Sequence, residues 1–229
     1  MKDNRKIILL SVVFVFTLVA VVLLISWTTG SFYYHFASMR LINIYSYFQL
    51  FATAFTAFLI CRSLEKENSL RWRQNPSARP FFISAAGFLF LGFDDLFSLH
   101  ENADKLIHFL LRIKETSLTD HLDDIILLAY GIIAVFFIKD FVKEFRKHPY
   151  MVKLIICGLF LFFIMFCLDF ISNNLQTFSH FFFGKMSYAD LKHRQDVFKM
   201  IEESFELIGE ASFLAAFAAS FTNIKTRKK

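Results

Sequence analysis

The chain has 229 residues, of which 56% are hydrophobic and 20% are charged, and its mean hydropathy is +0.49. Soluble globular domains are about 45–50% apolar, so this composition excludes a disordered chain and disfavours a soluble enzyme. Seven Gly and three Pro exclude a Gly/Pro-rich low-complexity protein, and three Cys exclude a disulfide scaffold. The net charge of +5 is informative mainly through its distribution. We predict an all-α, polytopic integral membrane protein.

Apolar runs close to the roughly 20 residues that cross a bilayer recur along the chain. They predict a single transmembrane domain over residues 1–229, a bundle of six helices at 7–27, 41–61, 81–99, 121–138, 154–171 and 201–223. The first run resembles a signal peptide, but its apolar core is about 20 residues instead of the usual 7–15, so we interpret it as a retained span. The segment 172–200 mixes Phe with charge and is predicted to be an outer interfacial anchor or a lid.

Lys and Arg are concentrated in alternate loops. The N-terminus, the loops 62–80 and 139–153 and the tail after Asn223 hold 17 of them, whereas the intervening loops hold 8. The positive-inside rule then predicts that both termini are cytoplasmic, which agrees with six spans, and we expect a plasma (inner) membrane location. Because insertion topology explains the inner positive charge, we reject nucleic acid as a partner and expect membrane lipids.

Acidic side chains occur deep within four of the spans. Counted from the cytoplasmic helix ends at about 1.5 Å per residue, Asp94, Asp124, Asp169 and Glu210 lie roughly 20–22 Å up, inside a hydrocarbon core about 30 Å thick. A charge at this depth costs at least about 2.5–3.5 kcal/mol, and the spans contain no Lys or Arg to pair with these acids. We therefore expect them to be protonated or to bind a cation.

A second layer of polar groups lies nearer to the outer surface. His100 and Glu101 follow Asp94 on the third predicted helix, where a spacing of seven residues would place Asp94 and Glu101 two turns apart on one face. On the fourth and sixth helices this layer includes His121 and Glu206. Together the two layers predict a polar pocket built from spans three to six.

Several of these polar groups have ordinary structural explanations. Asp104 and His108 are predicted to be solvated groups of an outer loop, and Asp169 could make a hydrogen-bonded contact between helices. Asp94 and Glu210 are the hardest to explain without a function, because they lie deepest in the membrane.

Carboxylates combined with histidines suit a divalent metal ion such as Zn, Fe or Mn. Six side chains are predicted to be its ligands: Asp94, His100, His121, Asp124, Asp169 and Glu210. The chain contains neither Glu-x-x-His nor His-Glu-x-x-His, so it follows neither the di-iron nor the zincin pattern.

A bound metal ion would make water nucleophilic near neutral pH, and Glu101 or Glu206 would act as the general base. This chemistry predicts a metal-dependent, hydrolase-like membrane enzyme whose pocket opens to the extracytoplasmic side and receives a lipid or another apolar substrate. One alternative is a proton- or cation-coupled transporter, and another is a sensor or an accessory subunit of a membrane complex. The inner halves of the spans offer few polar side chains, which favours a one-sided site over a conduit.

Overall fold

The computed structural model describes residues 41–112, 126, 129–130, 132, 136–173 and 188–226. Within these ranges the regular structure is helical, which confirms the all-α prediction for the described part of the chain. The helices in chain order are α1 (Leu41–Asn68), α2 (Arg79–Phe97), α3 (Leu99–Leu111), α4 (Ile138–Phe145), α5 (Pro149–Asn173) and α6 (Tyr188–Thr226). The predicted first span and most of the fourth lie outside the described residues.

Four of these helices, α1, α2, α5 and α6, are long and apolar enough to cross a membrane. They correspond to the predicted spans at 41–61, 81–99, 154–171 and 201–223. The last helix begins at Tyr188 instead of near residue 201, because a polar sequence can continue a helix where hydropathy ends a span. Its 39 residues extend over roughly 58 Å.

The described chain divides into two compact units. Among the described residues, the flanking unit comprises 41–49, 150–173 and 188–226, and the central unit comprises 50–112, 126, 129–130, 132 and 136–149. In the flanking unit, α6 supplies most of the buried apolar side chains, including Leu207, Phe213 and Phe217. In contrast, α5 exposes a row of apolar side chains, as expected of a helix that faces lipid: Ile156, Leu159, Phe160, Phe163 and Phe166.

Two glycines form the contact between α5 and α6. A Cβ atom on Gly158 would lie 2.7 Å from Cε1 of Phe213 and 3.0 Å from the carbonyl oxygen of Gly209. A Cβ atom on Gly209 would lie 2.7 Å from Cδ2 of Phe162 and 3.4 Å from the carbonyl oxygen of Gly158. Small residues at helix crossings in membranes allow backbones to approach closely. The two glycines therefore bring α5 and α6 together, with the rings of Phe162 and Phe213 packed 5.6 Å apart beside them.

In the central unit, α1 and α2 pack through a similar contact. A Cβ atom on Gly92 would lie 2.9 Å from Cε1 of Phe51, so the ring occupies the space that a side chain would need. The same ring makes an edge contact with Phe93 at 5.3 Å between centroids. This contact holds the C-terminal half of α2, which carries Asp94, against α1.

A single residue, Ser98, separates α2 from α3. Its φ of 47° and ψ of 50° are left-handed, and its backbone N–H points to the carbonyl oxygens of Asp94 and Asp95. The prediction that the third helix continues through His100 and Glu101 is therefore wrong. Because the backbone changes direction at Ser98, Asp94 and Glu101 do not share one helical face.

The left-handed backbone at Ser98 predicts that glycine is preferred at this position. Left-handed backbone geometry costs an L-residue about 1–2 kcal/mol. Glycine avoids this cost, but the greater freedom of glycine in the unfolded chain offsets about 0.5–1 kcal/mol of the gain in stability. We expect Ser98→Gly to raise the free energy of unfolding by about 0.5–1 kcal/mol, measured by unfolding in mild detergent. Ser98→Ala is the control, since the Ser98 side chain makes no capping hydrogen bond. Equal stability of the two variants would contradict the prediction.

Candidate functional site

Asp94 lies near the end of α2 and is only 3% exposed. Its Oδ1 accepts a hydrogen bond from the backbone N–H of His100 at 3.0 Å and another from the hydroxyl of Tyr130 at 3.3 Å. Its Oδ2 lies 2.7 Å from Nδ1 of His100. Both oxygens of this buried carboxylate are therefore held by polar partners.

The break at Ser98 explains why Asp94 and His100 meet. The first N–H groups of a helix have no partner within the helix and are usually bonded by the residue just before it. Ser98 occupies that position at the start of α3 but makes no side-chain capping bond. The carboxylate of Asp94 accepts the bond from His100 instead, and the same geometry brings the imidazole ring to Oδ2.

The contact with Asp94 fixes the orientation of the His100 ring. If Nδ1–H is donated to Asp94, the lone pair lies on Nε2, which can bind a metal ion or accept a proton. Histidines that ligate metals usually donate their other ring N–H to a carboxylate in this way. The His100 side chain is 20% exposed, so the ring is not sealed in the core.

A second Asp–His pair occurs further along α3. Nδ1 of His108 lies 2.8 Å from Oδ1 of Asp104, and both residues are buried. The prediction that these groups are solvated is therefore wrong. The side chains of Asp104 and His108 lie on the buried side of α3, whereas Leu106 and Phe109 are exposed. Along the helix axis, His108 lies roughly 12 Å from His100, so the two rings do not share one ion.

Glu210 is the buried carboxylate of the flanking unit and is 1% exposed. Its Oε1 accepts a hydrogen bond from the hydroxyl of Ser46, at 2.8 Å, and Gln49 is buried on the same part of α1. Asp169 near the end of α5 and Glu206 on α6 are half-buried in this unit. The metal-binding roles of Asp169 and Glu210 and the catalytic role of Glu206 stay predictions.

In the central unit, the structure brings together two of the predicted ligands, Asp94 and His100. Glu101 lies on α3, although its side chain falls outside the described residues. His121 and Asp124 also lie outside them. The described part of the site is therefore an oriented histidine with its carboxylate partner.

Sequence reasoning missed Tyr130 and Ser46, the hydroxyl donors to the two buried carboxylates. A lone Tyr or Ser in an apolar run follows no motif, so no signal in the sequence marks either residue. The helix start at Ser98 did have a signal, because Ser98 and Glu101 have the Ser-x-x-Glu spacing of a capping box.

Comparison with known proteins identifies a family but no characterised relative. Neither a curated protein nor a solved structure matches the chain. One family model, described as a domain of unknown function (DUF8692), matches residues 12–221 and so includes Asp94, His100 and Glu210. Because this match covers nearly the whole sequence, the chain belongs to the DUF8692 family.

Proposed function

We propose that this protein is a metal-dependent, hydrolase-like enzyme of the plasma membrane, with six spans in one domain and both termini in the cytoplasm. The contact of 2.7 Å between Asp94 Oδ2 and His100 Nδ1 carries the proposal, because it orients an imidazole as a metal site requires. The substrate is a lipid or another apolar molecule that enters from the extracytoplasmic side.

The surroundings of Asp94 support a preset orientation for His100. The backbone N–H of His100 and the hydroxyl of Tyr130 hold Oδ1, so the carboxylate cannot rotate without losing hydrogen bonds. In this proposal His100 Nε2 binds the metal ion and Asp94 acts as a positioning residue. A Zn, Fe or Mn ion there would supply a water that is nucleophilic near neutral pH. Glu101, on the first turn of α3, is the candidate general base of this unit.

Metal analysis of the purified full-length protein tests this proposal. We expect stoichiometric Zn, Fe or Mn in the wild type and its loss in His100→Gln, because the ligating nitrogen is removed. Asp94→Asn should weaken metal affinity by about 10–100-fold, the usual effect of losing an outer partner of a ligand. His193→Gln is a matched control, since His193 is exposed on α6, and it should keep the metal.

Two outcomes would contradict the metal proposal: a wild type that holds no metal after loading, or a His100→Gln variant that still binds it. Gel filtration of each variant separates loss of the ligand from loss of the fold.

A proton-coupled transporter is the second candidate, and the burial of Glu210 favours it. A carboxylate that is 1% exposed within a candidate membrane span is a common part of proton relays. The Ser46 hydroxyl bonds this carboxylate without neutralising its charge. Absence of metal from the wild type, together with proton-linked flux in vesicles that Glu210→Gln abolishes, would replace the enzyme proposal with this one.

A further inference from the structure

The short helix α4 carries two acids, and a cation outside the helix pairs with each of them. Asp140 forms a salt bridge with Arg79, with 3.1 Å between Oδ2 and the guanidinium nitrogen. Glu144 is buried and pairs with Lys147, whose ammonium also donates to the hydroxyl of Ser77 at 3.1 Å. The negative charge of α4 is therefore neutralised along one side of the helix.

Three other cations lie on a neighbouring face of α4 and at its C-cap. Lys139, Lys143 and Arg146 are exposed and form no ion pair with any residue that the structure describes. Their spacings of four and three residues place them within roughly 60° of one another around the helix. Together with Val142 they line a shallow groove, which we call the basic groove.

The packing of α4 places the basic groove at the end of a candidate membrane span. Arg79, the partner of Asp140, is the first residue of α2. Phe145 packs against Phe81, in the first turn of the same helix, with 5.6 Å between ring centroids. These contacts hold α4 at the level where a span meets the lipid headgroups.

We propose that the basic groove binds the phosphate of an anionic phospholipid headgroup. Three unpaired cations on one face favour an anion, and exposed Val142 between them offers an apolar contact to the lipid beside its headgroup. Clusters of Lys and Arg next to membrane spans bind anionic lipids in this way. The inference goes beyond the proposed enzyme and does not depend on it.

Native mass spectrometry of the full-length protein in detergent, titrated with phosphatidylglycerol or phosphatidylcholine, tests this site. We expect the wild type to bind phosphatidylglycerol about tenfold more tightly, and Lys139→Gln/Lys143→Gln/Arg146→Gln to lose that preference. The matched control removes three exposed cations from the last turn of α1 and the connection that follows it, and it should keep the preference: Lys66→Gln/Arg71→Gln/Arg73→Gln.

The site would be disproved if both triple variants reduced phosphatidylglycerol binding equally, because the attraction would then be diffuse. It would also be disproved if neither variant had an effect, or if millimolar inorganic phosphate displaced the lipid. If the groove triple variant fails gel filtration, the single charge reversal Lys143→Glu provides the same test. That single variant should lower phosphatidylglycerol binding at least about fivefold and leave phosphatidylcholine binding unchanged.

Discussion

Replacing Asp94 with alanine is expected to lower the free energy of unfolding by about 2–4 kcal/mol. The change removes the cap on the first turn of α3, and losing a cap usually costs about 0.5–2 kcal/mol. It also removes the contact with the His100 ring and leaves the Tyr130 hydroxyl without its acceptor. Equilibrium unfolding in mild detergent, followed by circular dichroism, measures the loss.

Two milder variants show which of these contacts matters. Asp94→Asn can keep Oδ1 as the acceptor for His100 N–H and Tyr130, so we expect it to retain more stability than Asp94→Ala. Tyr130→Phe removes one hydroxyl bond and should cost about 0.5–1.5 kcal/mol. If Asp94→Ala is no less stable than Tyr130→Phe, the capping role of Asp94 is wrong. If Asp94→Ala loses much stability and the wild type binds no metal, the role of Asp94 is purely structural.

The second large effect is expected at the crossing of α5 and α6. Alanine is a better helix former than glycine by about 1 kcal/mol, yet we expect Gly158→Ala to destabilise the protein by about 1–3 kcal/mol. The added methyl group would lie 2.7 Å from the Phe213 ring and 3.0 Å from the backbone oxygen of Gly209. The ring can turn aside, but the backbone oxygen moves only if the two helices separate.

Gly87→Ala is the matched control for this prediction. Gly87 is also in a candidate membrane span, but a Cβ atom there would meet no atom within 4 Å. We expect this variant to be neutral or to gain up to about 1 kcal/mol. Thermal unfolding of the two variants in the same detergent compares them directly. Equal unfolding temperatures would show that the glycine contact does not hold α5 against α6.

The long apolar helices were predictable where hydropathy alone decides the structure. Helix α5 runs from Pro149 to Asn173 and includes the whole predicted span 154–171. The break at Ser98 was not predicted, although the Ser-x-x-Glu spacing marks a helix start there, because no Gly or Pro interrupts the sequence and a window average hides a single residue. Hydropathy likewise placed Asp104 and His108 in a solvated loop, although they are buried as a pair on α3.

The two buried carboxylates of the candidate site were predictable, but their hydrogen-bond geometry was not. Depth in the membrane identifies acids, since a buried charge is costly, and this selected Asp94 and Glu210. It cannot identify the hydroxyls of Tyr130 and Ser46, because burying a hydroxyl costs far less. The meeting of Asp94 with His100 results from a bend in the backbone and not from helical periodicity.

The length of α6 has a mechanical consequence. At roughly 58 Å it is longer than a bilayer, which is about 40–45 Å thick with its headgroups, so an α6 that lies along the bilayer normal would extend roughly 15 Å beyond it. The polar turn that contains exposed Lys192, His193 and Arg194 lies near the N-terminal end of α6. Because a continuous helix resists bending, a force that tilts this N-terminal end would also shift Glu210 relative to Ser46, its hydrogen-bond donor on α1.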